Sequence, residues 1–245
     1  YLAAQVPLIF TVDENTSWIG YSLTGQTNIT ISGNTTIDGL SDGVQTVKVY
    51  ANDTAGNMGF SNTVYFSVDT MPPKIKILSP ENKTYATSSV SLSFAVNELT
   101  SWIGYSLEGA ANVTLTGNTS LTDLPDGVHY LAVCANDTVG HMGSSDIIHF
   151  TIDTHPPNII GVCQIPLENN VLPEDEVKVN ATITDDLSLV KRATLIYACS
   201  NSSGTFISAL DMKNLEGNIW NATIPSFPYC TNVTYIILVE DTVGN

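Results

Sequence analysis

The 245 residues carry 24 acidic and 8 basic side chains, a net charge of −16, although only 13% of the chain is charged. An acidic surface of this kind repels nucleic acid and anionic lipid, since affinity for both rests on Lys and Arg neutralising negative charge. At 43% hydrophobic residues the chain can bury cores, yet no run approaches the roughly 20 apolar residues of a transmembrane helix.

Short apolar-alternating runs follow one another from the start, and helical periodicity is absent over any useful length. The first third reads "VPLIFTV", "TSWIGYSL", "NITI", "VQTVKVYA" and "TVYFSV". The middle third repeats the pattern. "SVSLSFAV" alternates over Val90, Leu92, Phe94 and Val96, and "WIGYSL", "NVTLTG", "HYLAVCA" and "DIIHFTI" follow, with "PDG" and "NDTVGHMG" as turns. The last third has a divergent set: "EVKVNATIT", "RATLIYAC", "TFISALDM", "NIWNATI" and "VTYIILVED". Strands of this length at about ten-residue spacing, separated by Gly, Asn, Asp and Pro turns, predict β-sandwiches.

The same eight letters, TSWIGYSL, begin at Thr16 and at Thr100. Laying Phe10 to Pro73 on Phe94 to Pro157 gives 35 identities in 64 positions without a gap. A repeat of domain size sets the organisation ahead of any length prior. Three domains are expected: 1–73 with its first strand missing, 74–157 complete, and 158–245 divergent with its last strand missing. Such ragged ends admit two readings. The missing strands belong to more of the same chain, or a neighbouring subunit donates them to build a filament. Pro72-Pro73 and Pro156-Pro157 interrupt strand pairing and fix φ, which predicts short, stiff joints and a linear array.

At "SWIGYSLTG…DGVQTVKVYANDTAGNMGFSNTVYFSVDTMPP" the chain resembles the immunoglobulin-like repeats of archaeal, and some bacterial, secreted and cell-surface proteins. The resemblance is close over both full repeats and looser over the third, through "TYIILVEDTVGN". It implies tandem immunoglobulin-like or fibronectin-III-like sandwiches that space or decorate a cell surface in layers of S-layer type, adhesins or filaments. It carries over no catalytic residues, and no enzyme activity is expected.

Sequons occur at Asn15, Asn28, Asn34, Asn52, Asn82, Asn112, Asn118, Asn136, Asn180, Asn201, Asn221 and Asn232, twelve among 21 asparagines. Each marks a possible N-glycosylation site in a secreted protein. An extracellular, glycosylated chain is therefore expected, and N-linked glycans are its only expected adducts.

Other candidate chemistry is thin. His129, His141, His149 and His155 face Gln45, Asn57, Tyr65 and Met71 in the first repeat, so the fold does not depend on them. His129 and His149 fall on the last two strands of their repeat, which leaves a weak metal contact between them open. The DxxGN turns at Asp53 to Asn57 and Asp241 to Asn245 are open to a calcium reading. The stronger reading is structural, with Asp capping turn donors and Gly supplying φ > 0, and no metal site is assigned. Trp18 and Trp102 alternate with the Ile, Tyr and Leu of their strands. Either set lines the core, and an exposed indole would suit a glycan.

Of the four cysteines, Cys199 ends the run LIYAC and Cys230 precedes TNVTY. In a sandwich, strand C ends at the pole where strand F begins, which favours a Cys199–Cys230 disulfide worth roughly 3 kcal/mol in the chain-entropy account. Cys134 and Cys163 are left free, paired with each other, or bridged to another chain. The expected function is an extracellular structural protein: a glycosylated spacer, stalk or subunit of a surface layer, sheath or filament. Its partners would be copies of itself, other surface proteins and glycans, with neither nucleic acid nor membrane insertion in this segment. The alternative is a carbohydrate-binding or adhesion module of a larger secreted protein.

Overall fold

The computed structural model describes residues 1–202, 204–228 and 231–245. The first segment holds β1 (Val6–Leu8), β2 (Thr16–Leu23), β3 (Ile29–Ile31), β4 (Thr35–Ile37), β5 (Gly43–Asp53), β6 (Met58–Phe60) and β7 (Val64–Val68). The second holds β8 (Ile75–Ser79), β9 (Thr84–Tyr85), β10 (Val90–Val96), β11 (Thr100–Leu107), β12 (Val113–Thr114), β13 (Thr119–Leu121), β14 (Gly127–Asp137), β15 (Met142–Ser144) and β16 (Ile148–Ile152). The third holds β17 (Asn158–Ile165), β18 (Val177–Thr184), β19 (Val190–Asn201), β20 (Gly204–Asp211), β21 (Lys213–Glu216), β22 (Ile219–Ile224) and β23 (Asn232–Asp241). A single 3-10 turn at Glu168–Asn170 is the sole helical element among the described residues.

The chain divides into two compact units. The first comprises residues 1–77, 94–117 and 132–146. Here β2 pairs antiparallel with β3 and β5, and β5 with β6 and β7, while β1 pairs with β4 in a second sheet. Side chains from both sheets meet in one core: Val6, Leu8 and Ile37 from one, Tyr21, Val47 and Val68 from the other. Alternation explains which residues enter it. In a strand, i, i+2 and i+4 share a face, so Tyr21 and Leu23 turn inward while Trp18 and Gly20 share the opposite face. The Tyr set lines the core, which resolves the alternative left open by the sequence.

The second unit comprises residues 78–93, 118–131 and 147–245. Here β10 pairs with β13, β16 pairs with the start of β14, and β9 joins β16 in parallel. Residues 158–241 form two sheets, β17-β18-β22-β21 and β20-β19-β23. These orders match the A-B-E-D and C′-C-F arrangement of immunoglobulin-like and fibronectin-III-like sandwiches. The inner faces contribute Val179, Ala181 and Ile183 from β18, Leu195, Tyr197 and Cys199 from β19, and Trp220 and Ile224 from β22. Each fully buried Leu or Ile contributes about 1.5–3 kcal/mol relative to exposure. The additional residues of this segment lengthen β17, β19 and β20 and add β21. The chain is all-β, built of tandem sandwiches of this class.

Candidate functional site

Two recurring turns organise the ends of the strands. In the first, the Asp of a DG turn accepts from the Thr that follows the last strand. Asp42 Oδ1 accepts from Thr70 N and Oγ1, both at 2.9 Å, and Asp126 Oδ1 accepts from Thr154 N at 3.1 Å and Oγ1 at 3.0 Å. The glycines after these aspartates have φ of 108° and 136°, a region closed to most side chains. DG and DT therefore recur together because each is half of one clasp. Asp126 Oδ2 also accepts from the His155 imidazole.

The second turn is DxxGN. Asp53 Oδ1 accepts from the backbone N–H of Ala55 and Asn57, each at 2.8 Å, and Oδ2 accepts from Asn57 Nδ2 at 2.8 Å. Asp241 repeats this with Val243, Gly244 and Asn245 on Oδ1, and with Asn245 Nδ2 on Oδ2 at 3.0 Å. In the second repeat His141 takes the Asn position, with Nδ1 2.7 Å from Asp137 Oδ2. Capping by Asp is thus what these turns do within themselves. Their surroundings differ. Asp53 is half-buried, whereas Asp137 is 1% and Asp241 0% exposed.

What covers the buried turns is acidic. In the first unit, Asp69, Asp137 and His141 each place one ligand atom within 4.8 Å of the others. In the second unit, Asp153, Asp185 and Asp241 do the same. Asp69 and Asp153 are repeat equivalents just before the Pro-Pro steps, and Asp185 sits in the turn after β18. Asp185 Oδ1 accepts from Leu187 N at 3.1 Å and Ser188 N at 2.7 Å. Asn245 Nδ2 also donates to the Asp153 carbonyl at 2.7 Å. Sequence reasoning saw the DxxGN aspartates and missed their neighbours. The exact recurrence of the Asp before Thr-x-Pro-Pro was the signal available.

The electrostatics of the two clusters diverge. Burial alone would raise the Asp137 carboxyl, but the hydrogen bonds from His141 and the turn N–H groups hold it below the usual carboxylate range. His141 is raised above its ordinary value, chiefly by its hydrogen bond to Asp137, against an opposing effect of burial. Its Nε2 lies 3.3 Å from the Leu2 carbonyl. Both ring nitrogens face acceptors, so the imidazolium form satisfies both. Asp241 is likewise held low: burial opposes, and the N–H groups of Asn245 and Gly244 outweigh it.

The remaining histidines close the reading left open for His129 and His149. His129 pairs in register with Phe150, and Tyr130 with His149. Adjacent residues on a strand face opposite sides, so His129 is 2% exposed and stacks on Phe150 at 5.4 Å. His149 packs instead on exposed Tyr130 at 5.7 Å. The two imidazoles occupy opposite faces, and a shared metal between them is excluded. His129 Nε2 reaches Pro125 O at 2.8 Å, just as Gln45 Nε2 reaches Ser41 O at 2.9 Å. Gln and His interchange here because each bonds the carbonyl four residues upstream.

Trp18 lies half-buried across Gly20, with Nε1 donating to Thr30 Oγ1 at 2.9 Å. Trp102 does the same over Gly104, donating to Thr114 Oγ1 at 3.1 Å. Of the sequons, Asn15, Asn28, Asn34, Asn82, Asn112, Asn118, Asn201 and Asn232 are exposed, and Asn52, Asn136, Asn180 and Asn221 are half-buried. Asn221 Nδ2 donates to Asn180 Oδ1 at 2.9 Å across β18 and β22. Cys134, Cys163 and Cys199 are unbridged among the described residues. Cys199 is buried, and burial pushes its thiol up. Cys230 lies outside the described residues, so the Cys199–Cys230 pairing stays an expectation.

No known protein-family profile matches the chain. It is similar to Halomucin of Haloquadratum walsbyi, with 34% identity over 97 residues, covering 36% of this chain and 1% of that protein's length. Among solved structures, one described as giving insight into host cell surface retention of a 1.5-MDa bacterial ice-binding adhesin shares 14% identity, covering 96% of this chain and 89% of that one at a TM-score of 0.38. A tetra-tandem repeat in the extending region of a large adhesion protein shares 16%, covering 100% and 68% at 0.34. The fibronectin(III)-like modules of CbhA from Clostridium thermocellum share 14%, covering 62% and 87% at 0.30.

Proposed function

We propose that this chain is a segment of an extracellular cell-surface protein. It is a glycosylated spacer or stalk of three sandwiches (1–73, 74–157 and 158–245) within a surface layer, sheath, filament or adhesin. The observation that carries the reading is where the sequons sit. Eight of the twelve present an exposed asparagine, in all three segments, in loops or at the ends of strands. Asn28 and Asn34 match Asn112 and Asn118 in the second repeat, so each repeat offers the same two attachment points. Asn34 is exposed, and its Oδ1 accepts from Phe10 N at 3.0 Å, so this contact does not occupy the amide nitrogen that a sugar would bond. The net charge of −16 adds self-repulsion, which keeps such surfaces solvated and apart. The sequence similarity to Halomucin supports the same placement. Partners are other copies, other surface proteins and the glycans themselves.

Peptide mapping of protein from its native source tests the reading. Glycans are expected at Asn28, Asn34, Asn112 and Asn118, with low occupancy at Asn180 and Asn221, whose side chains bond one another inside a sheet. Unmodified asparagine at all four exposed positions would overturn it.

A further inference from the structure

We propose that Asp153, Asp185 and Asp241 form a binding site for a divalent cation of the calcium class. The three aspartates converge from just past the end of β16, the turn after β18 and the last residue of β23. One oxygen from each lies within 4.8 Å of the others. Asp153 is 2% and Asp241 0% exposed. Among the described residues, no Lys, Arg or His forms an ion pair with any of the three.

The independent sign of a ligand is Asp153 Oδ2. It is buried and has no hydrogen-bond donor, while Oδ1 receives only the 3.4 Å contact from His155 N. A buried carboxylate oxygen without a donor is costly, and costlier beside two further carboxylates. The other two acids are held firmly from one side: backbone N–H groups fix Oδ1 of Asp185 and of Asp241. Rigidly held carboxylates with one unsatisfied oxygen are what a cation would complete.

The equivalent cluster in the first unit carries its own balancing charge. There His141 stands where Asn245 stands, within 4.8 Å of Asp69 and Asp137. When protonated, its imidazole donates to Asp137 and toward the Leu2 carbonyl and offsets the two carboxylates. In the second unit the position holds a neutral Asn and the cluster gains a third acid. The cation that one cluster supplies from its own side chains must come to the other from solution. Access is provided by a cleft of about 440 Å³ lined by Asp126, Asp153, His155, Asp185 and Asp186. It has room for water molecules to fill the remaining positions of a six- to eight-oxygen shell. An all-oxygen, acid-rich set favours hard cations over zinc or copper, and Mg²⁺ demands a smaller, near-ideal octahedron.

Calorimetric titration of the 245-residue chain with CaCl₂, alongside thermal unfolding in CaCl₂ and in EDTA, tests this. One calcium-dependent site is expected, with a dissociation constant on the order of 10⁻⁴–10⁻³ M, and with Mg²⁺ binding more weakly. Asp185→Asn should weaken binding at least about tenfold, and Asp69→Asn should leave it unchanged. Asp153→Asn separates ligation from folding. It should match or exceed the parent's stability in EDTA, where it removes an unpaired buried charge, and fall below the parent in calcium. Equal parent stability with and without calcium, a deficit of Asp153→Asn that is the same in both, or Mg²⁺ binding as tight as Ca²⁺ would each overturn the assignment.

Discussion

Replacing Gly20 by Ala tests why the octapeptide around it is written twice. A Cβ on Gly20 would lie 2.4 Å from Cζ2 and 2.7 Å from Cη2 of Trp18, and 2.9 Å from the Ile29 carbonyl oxygen on the neighbouring strand. Carbon atoms pack at about 3.5–4.0 Å, so the indole must move by about 1 Å, and the backbone oxygen blocks the methyl on its other side. Overpacking of this kind costs about 1–3 kcal/mol. Moving the ring also breaks the bond from Trp18 Nε1 to Thr30 Oγ1, a further 0.5–1.5 kcal/mol or about that. Ala recovers about 0.5–1 kcal/mol through the lower chain entropy of the unfolded state. The net loss is about 2 kcal/mol, the centre of these ranges, measured by urea denaturation of the full chain. The indole N–H resonance of Trp18, one of three in the protein, should shift toward that of a solvent-bonded indole. The double mutant decides the matter. In a Trp18→Ala background the indole is gone and only the 2.9 Å contact to the Ile29 carbonyl remains, so Gly20→Ala should cost less than in the parent by about 1 kcal/mol or more. Costs that add to within about 0.3–0.5 kcal/mol in both backgrounds would refute the claim that the glycine exists to seat the indole. Gly104 and Trp102 repeat the geometry, with the Val113 carbonyl at 3.0 Å, and should behave alike.

Two further outcomes follow from equivalent positions with different surroundings. A Cβ on Gly143 would fall 1.9 Å from the Pro73 carbonyl oxygen, whereas on Gly59 its nearest neighbour is the Ala51 carbonyl at 4.0 Å. Gly143→Ala should therefore destabilise the chain by about 1–3 kcal/mol and Gly59→Ala by less than about 0.5 kcal/mol, read from denaturation midpoints; equal effects would mean that the Pro-Pro step does not press on β15. The second concerns pH. Because the folded pKa of His141 is raised, its contribution is full below the unfolded value of about 6.5 and is lost as pH rises through the folded value. His141→Asn keeps the turn's amide bond, as at Asn57 and Asn245, without titrating, so the parent should lose thermal stability relative to this variant above about pH 6.5 and not below. Parallel profiles across pH 5–9 would remove His141 as a charged partner of Asp137.

Much of the fold could be read from the sequence because sandwich strands announce themselves locally. Alternation in SVSLSFAV and the DG and DxxGN turns specify strands and corners from neighbours alone, and β10 and β14 fall where those signals put them. Sheet facing was harder. Alternation separates Trp18 from Tyr21 but is silent on which face is inner, since a Gly beside the Trp carries no hydrophobic signal. The structure decides it through the indole lying over Gly20, a contact between side chains that pattern does not encode. His129 and His149 show the same limit. Both were placed on adjacent strands correctly, yet a register offset of one residue puts them on opposite faces.

The acidic cluster was the least legible feature, and the reason is topological. Asp153, Asp185 and Asp241 are separated by 32 and 56 residues, and each alone has a satisfying local explanation as a turn or strand-end residue. Asp185 and Asp241 do cap their own turns, so the local reading was right and incomplete. A carboxylate has two oxygens: turn capping occupies one and says nothing of the other. What distinguishes the three repeats is the burial of the DxxGN aspartate together with the residue four positions after it: Asn57, His141, Asn245. In the first repeat the Asp beside it is half-buried and solvent can balance its charge. In the second the imidazolium balances it. In the third the Asp is fully buried beside two more, and the side chain is neutral. Duplication copied the turn, and burial then made each copy find its own way of neutralising the same carboxylate.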